Sequence, residues 1–228
     1  MGEKKTVAET GRRNDGDPAG SPRPRPRAYH HGNLVDAIVQ ATISLIEERG
    51  TEAVSLREAA RRAGVSSAAP FRHFPNKAAL MAAVAEQAME RLTASIEAAL
   101  AETSSLAPMA RFEALGRAYL GWAFDNPTHF QVISSRALVD LQASPRLRQQ
   151  NEAIRLTMTD LLESARRSGE LRTDISVDQI VLSARAFGYG LARMHVDGHL
   201  PEWHPSEAPK ETAMSALASY LRTLRREA

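Results

Sequence analysis

Apolar residues recur at three- and four-residue intervals over most of this chain, and no stretch alternates apolar with polar as a half-buried strand would. From Asn33, residues Leu34, Ile38, Ala41, Leu45 and Ile46 fall on one helical face, with Glu47, Glu48 and Arg49 outward and Gly50 as a stop. Ser55-Leu56-Arg57-Glu58 has the spacing of a capping box, in which the Ser55 hydroxyl accepts from the Glu58 amide and the Glu58 carboxylate reaches back. A second helix is therefore predicted from Leu56, burying Leu56, Ala59, Ala60 and Ala63 and ending at Gly64. Ser66 is placed to cap a short third helix running to about His73, with Pro70 at the edge of its first turn, where a missing amide removes little hydrogen bonding. Asn76 caps a fourth helix that carries Leu80, Val84 and Leu92 inward and continues to about Glu102.

Further helices are predicted over 108–124, 127–140, 145–168, 178–197 and 209–226, with Pro127, Pro145 and Pro209 at helix starts, where a proline costs no hydrogen bond. No repeat of fixed period and no sustained heptad pattern interrupts this all-α reading. Residues 1–28 are different. They carry no periodic apolar pattern and end in Pro22-Arg23-Pro24-Arg25-Pro26-Arg27, a composition expected to stay disordered and extended. Two readings of this arm stand side by side: a solubilising tail, or a cationic arm that follows DNA phosphates beside a bound domain.

Composition removes several classes of chemistry. The chain has no cysteine, so disulfides, thiolate metal sites and cysteine redox sensing are excluded. No apolar run approaches the roughly 18 to 20 residues that cross a bilayer, and the polar amino terminus lacks the apolar centre of a signal peptide, so no membrane partner and a cytoplasmic location are expected. There is no Gly-rich phosphate loop and no nucleophile elbow, and no catalytic residue is assigned; the chain is expected not to be an enzyme. His195, His199 and His204 around Asp197 hold metal-ligating groups, but Gly198 and Pro201 break any helix that would align them, so neither a metal nor another cofactor is assigned.

The formal net charge of +2 conceals a local asymmetry. Residues 55–77 contain five cations (Arg57, Arg61, Arg62, Arg72, Lys77) and one anion, Glu58. Two short helices joined by a Gly-containing turn at 55–74 give the geometry that sets a recognition helix in the major groove of duplex DNA, and the cations suit its phosphates. Helical hairpins also occur as plain structure, and Arg61 and Arg62 read equally as a solvated face.

The stretches Tyr29-His30-His31-Gly32-Asn33-Leu34, Val54-Ser55-Leu56-Arg57-Glu58-Ala59-Ala60-Arg61-Arg62-Ala63-Gly64-Val65-Ser66 and Phe71-Arg72-His73-Phe74-Pro75-Asn76-Lys77-Ala78-Ala79-Leu80 resemble the amino-terminal domain of TetR-type (TetR/AcrR) transcriptional regulators. Tyr119 to Phe130 resembles part of a regulatory domain of one branch of that family. The resemblance implies a helix-turn-helix DNA-binding domain over 29–92 and a helical ligand-binding and dimerisation domain over 93–228. It makes Arg57 a base or phosphate contact, Ser66, Ser67, Ala68 and Ala69 the groove-facing start of the recognition helix, and His73 and Lys77 backbone contacts. Arg72 is the one long donor on that helix, suited to guanine or phosphate. Phe71 stands where the family usually has Tyr, so a phenolic phosphate bond is missing and its ring is free to pack.

For the second domain the resemblance implies an internal cavity for a small-molecule effector and pairing of the last two helices with a second copy. Candidate lining residues are Met109, Phe112, Tyr119 and Trp122, with Phe130 and Phe187, and with His129 and Arg136 as polar handles. Phe187, Tyr189, Leu191 and Met194, with Leu217, Tyr220 and Leu221, offer apolar surface that suits either a partner helix or an internal core. The expected function is a sequence-specific DNA-binding transcriptional regulator: a ligand-responsive repressor, homodimeric on a near-palindromic double-stranded operator. The alternative is an architectural DNA-binding or interaction module that answers to no ligand.

Overall fold

The computed structural model of the protein describes residues 31–140, 144–205 and 208–226, with side chains from Leu34 onward. The Pro-Arg arm over 1–28 lies outside the described residues, as do Tyr29 and His30. The helices are α1 His31–Arg49, α2 Leu56–Arg62, α3 Lys77–Glu102, α4 Pro108–Asp125, α5 Pro127–Ser134, α6 Pro145–Arg167, α7 Val177–Val196, α8 Leu200–Trp203 and α9 Pro209–Thr223. Two 3-10 turns, Thr51–Ala53 and Pro70–Arg72, flank α2. Among the described residues the only β geometry is an isolated bridge between Leu171 and Arg225.

α3 organises the packing. At 26 residues it is about 39 Å long, and its buried positions Leu80, Val84, Ala88, Leu92 and Ile96 repeat every four residues along one face. Its beginning packs against α1, and its length lies along α4, α5 and α6. α7 and α9 close over α4 from the other side. Asn76 caps α3 as expected, its Oδ1 accepting from the Ala79 amide at 2.9 Å.

The predicted third helix is not formed as one. Pro70 has no amide to donate to the Ser66 carbonyl, which instead accepts from Ala69 at 3.0 Å and closes a turn. The chain then makes a separate 3-10 turn at Pro70–Arg72, with His73 and Phe74 both donating to the Pro70 carbonyl. Pro70 therefore divides the segment rather than merely setting its register. Pro70 and Phe74 are buried, so the segment is held by its two ends.

The expected capping box at Ser55 is half formed. The Ser55 hydroxyl accepts from the Glu58 amide at 3.2 Å. The Glu58 carboxylate turns away to accept from Arg49 of α1 at 2.8 Å and from Arg61 at 2.6 and 3.0 Å, because two guanidiniums outcompete one amide. A complete box occurs instead at Ser176 and Gln179, starting α7. Gly64 takes a φ of +69° in the turn after α2, a conformation that L side chains rarely adopt. Ala63 is half-buried rather than buried.

Further differences have local causes. α5 stops at Ser134 instead of continuing to residue 140, because Ser135 turns to extended backbone and its carbonyl accepts from Leu138 and Val139 in a turn. α8 is one turn long, too short to leave a periodic trace in the sequence.

Glu58 supplies a pH-dependent tie between α1 and α2. Its carboxyl is lowered from about 4.5 to about 2, chiefly by the hydrogen bond from Arg61, against desolvation and with help from the charges of Arg61 and Arg49. As pH falls, the unfolded chain takes up this proton first, so the stabilisation is full above about pH 4.5 and lost on the way to about pH 2. Thermal unfolding from about pH 5 to about pH 2.5 is therefore expected to fall more steeply for the wild type than for Glu58→Gln, and parallel curves would refute the tie. Gly64→Ala is expected to cost about 1 kcal/mol, read as a lower denaturation midpoint at unchanged slope.

Candidate nucleic-acid interface and internal cavity

α2 packs against the Pro70–Arg72 turn, and the connecting residues 64–69 lie at the surface. Arg57 is exposed on the first turn of α2. Ser66, Ser67 and Ala68 are exposed, Ala69 is half-buried, and Arg72, His73 and Lys77 are again exposed. The assigned residues thus form one solvent-facing strip from α2 to the start of α3. Phe71 does not pack: its ring is 51% exposed and stands on this strip as an apolar group.

The cations divide into two sets. Arg62 pairs with Glu48 of α1, and Arg61 and Arg49 share Glu58. The charge excess read from residues 55–77 was overstated, because Glu48 and Arg49 lie outside that window yet fold against it. Arg57 and Arg72 have no carboxylate partner among the described residues. The Lys77 ammonium donates to the Thr51 carbonyl at 3.0 Å, which holds it beside the first turn of α3, where free amides favour an anion.

A cavity of about 270 Å³ lies between α3, α4, α5, α6, α7 and α9. Phe112 and Tyr119 of α4, Phe130 of α5 and Arg136 beyond it line this space, so four of the eight candidate residues meet there. Met109, Trp122, His129 and Phe187 do not. Met109 is 1% exposed within the core. Trp122 continues the helical stripe of Leu115 and Tyr119 but lies outside the lining, packing edge-on against His129 with ring centroids 6.4 Å apart. His129 meets Arg91 of α3 at 3.3 Å; burial, and then the Arg91 charge, hold it below the usual histidine range. Phe187 stacks on Tyr220 of α9, centroids 4.5 Å apart.

Several lining residues escaped the sequence reading. Asn151, Ile154 and Met158 of α6 and Arg185 and Tyr189 of α7 belong to stripes at helical spacing, but which stripe faces the cavity depends on how the helices are rotated in the bundle. Met89 and Leu92, on the same α3 that starts at Lys77, also line it. The histidines near Asp197 take separate partners: His195 stacks on Phe124 at 3.9 Å, and His199 meets Glu202 at 3.0 Å. No group of three metal-ligating side chains occurs among the described residues, and none of their helices is long and apolar enough to cross a membrane.

Two family models match this chain. Residues 38–84 match bacterial regulatory proteins of the tetR family, and residues 112–220 match the tetracyclin repressor-like C-terminal domain. Nucleoid occlusion factor SlmA of Aliivibrio fischeri (strain MJ11) is 27% identical over 160 residues, covering 68% of this chain and 79% of that protein. A solved structure of a protein with unknown function from Rhodococcus sp. RHA1 is 29% identical, with a TM-score of 0.73 over 88% of this chain and all of the other. The ketosteroid transcriptional regulator KstR2 of Mycobacterium tuberculosis shares the fold at 20% identity, with a TM-score of 0.65 over 85% of this chain and 96% of that one. The two matched segments together span more than half of the chain, with the helix-turn-helix in the first and most of the cavity wall in the second, and the chain belongs to the tetR family of DNA-binding transcription regulators.

Proposed function

We propose that this regulator is a ligand-responsive repressor, acting as a homodimer on a near-palindromic operator. In this reading 29–92 holds DNA, 93–228 senses the effector and dimerises, and α3 belongs to both. The observation that carries it is the continuity of α3. One rigid helix begins at Lys77 beside the DNA-facing strip and supplies Met89 and Leu92 to the cavity wall. A ligand that repositions the second half of α3 must also move its first half, and with it the separation of the two recognition segments of a dimer. Ligand and DNA then compete through their differential affinity for two forms, a coupling of about 5- to 150-fold in typical cases.

α7 and α9 support the dimer. Leu182 is 70% exposed on α7, and Phe187 of α7 and Tyr220 of α9, stacked on each other, are only partly covered. Tyr220 donates to Ser183 at 2.8 Å, which fixes α9 against α7 as one surface. In this reading a second copy packs on this surface of α7 and α9. Leu182→Glu is expected to give monomers in sedimentation and to lose most operator affinity; a dimer of unchanged affinity would exclude this face.

On the DNA side, Arg57 and Arg72 supply hydrogen bonds that Ala68, Ala69 and Phe71 cannot. Arg57→Ala or Arg72→Ala is expected to cost about 1–3 kcal/mol and to blur base preference. Lys77→Ala is expected to weaken binding equally on all duplexes and to reduce the salt slope by about one. Unchanged affinity and slope for Lys77→Ala would refute this docking. Selection from a random duplex pool is expected to return two related half-sites; recovery without sequence preference would instead support an architectural module.

A further inference from the structure

The polar groups around the cavity are one-sided. Its wall includes two guanidiniums, Arg136 and Arg185, and no aspartate or glutamate. Arg185 holds its guanidinium carbon 4.9 Å from the centre of the Tyr119 ring and 5.7 Å from that of Tyr189, a cation-π arrangement. It forms no ion pair among the described residues, and both arginines are exposed.

Tyr119 completes the set. The residue is 8% exposed, and its hydroxyl oxygen faces the Arg185 guanidinium while its O–H proton has no acceptor within the protein. Buried hydroxyls are ordinarily paired, so one that opens on a cavity is a donor awaiting a ligand. Burial pushes the phenol up, with Arg185 pulling the other way, so Tyr119 keeps its proton and can donate. The rest of the wall is mainly apolar: Leu92, Phe112, Phe130, Ile154 and Met158.

The geometry points to an amphipathic organic carboxylate as the molecule held here, its carboxylate taken by Arg185 and the Tyr119 hydroxyl and its apolar body lying against Phe112, Phe130 and Met158. A cationic guest would meet two like charges and no counter-ion. A neutral apolar guest would leave the Tyr119 hydroxyl proton without an acceptor. This assignment of the ligand rests on reading the cavity as the effector site.

Calorimetry on the full chain separates the possibilities, with two pairs of probes of different shape: decanoate against decanol, and 2-naphthylacetate against 2-naphthylethanol. In at least one pair the carboxylate is expected to bind about tenfold or more tightly than its alcohol. Arg185→Gln, at an exposed position, is expected to abolish that preference, and Tyr119→Phe to weaken the carboxylate more than the alcohol. Equal or tighter binding of the alcohol in both pairs, or binding of neither carboxylate, would overturn the assignment. Adding the probes to a complex with a pool-selected duplex tests the effector reading separately. Carboxylate binding without DNA release would keep this site and remove its regulatory role, whereas release by the alcohols alone would keep the role and remove the anion site.

Discussion

The apolar face of α3 has to satisfy two environments at once, and the remaining structure is arranged around that demand. Leu80, Met81 and Val84 are buried in the core that α1 closes, whereas Met89 and Leu92 border the cavity beneath α4 to α7. A helix bends little without a proline, a glycine pair or an inserted side chain, and α3 contains no proline or glycine. The two ends are therefore mechanically one object. The Asn76 cap and the Lys77 bond to Thr51 fix where this object begins relative to the solvent-facing strip.

Ion pairing sorts the positive charge of that strip into structure and contact. Glu48 and Glu58 neutralise Arg62, Arg61 and Arg49, and in doing so hold α1 against α2. Exposed pairs of this kind contribute little stability each, but here they set which guanidiniums remain available. Arg57 and Arg72 remain, together with an exposed Phe71 and the methyl groups of Ala68 and Ala69. Such a face is poor in long hydrogen-bonding groups, and in the proposed docking it would lean on thymine methyls and duplex shape.

Within the regulatory half, the contrast between Tyr119 and His129 shows how position governs polar chemistry. Both are buried aromatics with a polar atom, and both lie near a guanidinium. His129 is turned to Arg91 and Trp122 at the junction of α3 and α5, outside the cavity. Tyr119 lines the cavity, under Arg185, with no acceptor for its hydroxyl proton within the protein. The same inventory of residue types thus yields a sealed packing joint in one place and a vacant donor in the other.

Local chemistry determined much of this protein from the sequence. Helix periodicity, the Ser55 and Asn76 caps and the prolines that begin α4, α5, α6 and α9 are interactions within a few residues, and so are readable along the chain. The scaffold of the helix-turn-helix, with Gly64 at positive φ, was legible for the same reason. The division of the recognition segment at Pro70 turned on one absent amide, whose cost depends on the length of helix on either side. What only the tertiary structure decided were the partners brought from far along the chain: Glu48 to Arg62, Arg91 to His129, and Arg185 to Tyr119. A pattern of apolar residues fixes which helical face is buried but not how each helix is rotated against its neighbours, and that rotation chose Arg185 and Tyr189 for the cavity and left Phe187 outside it.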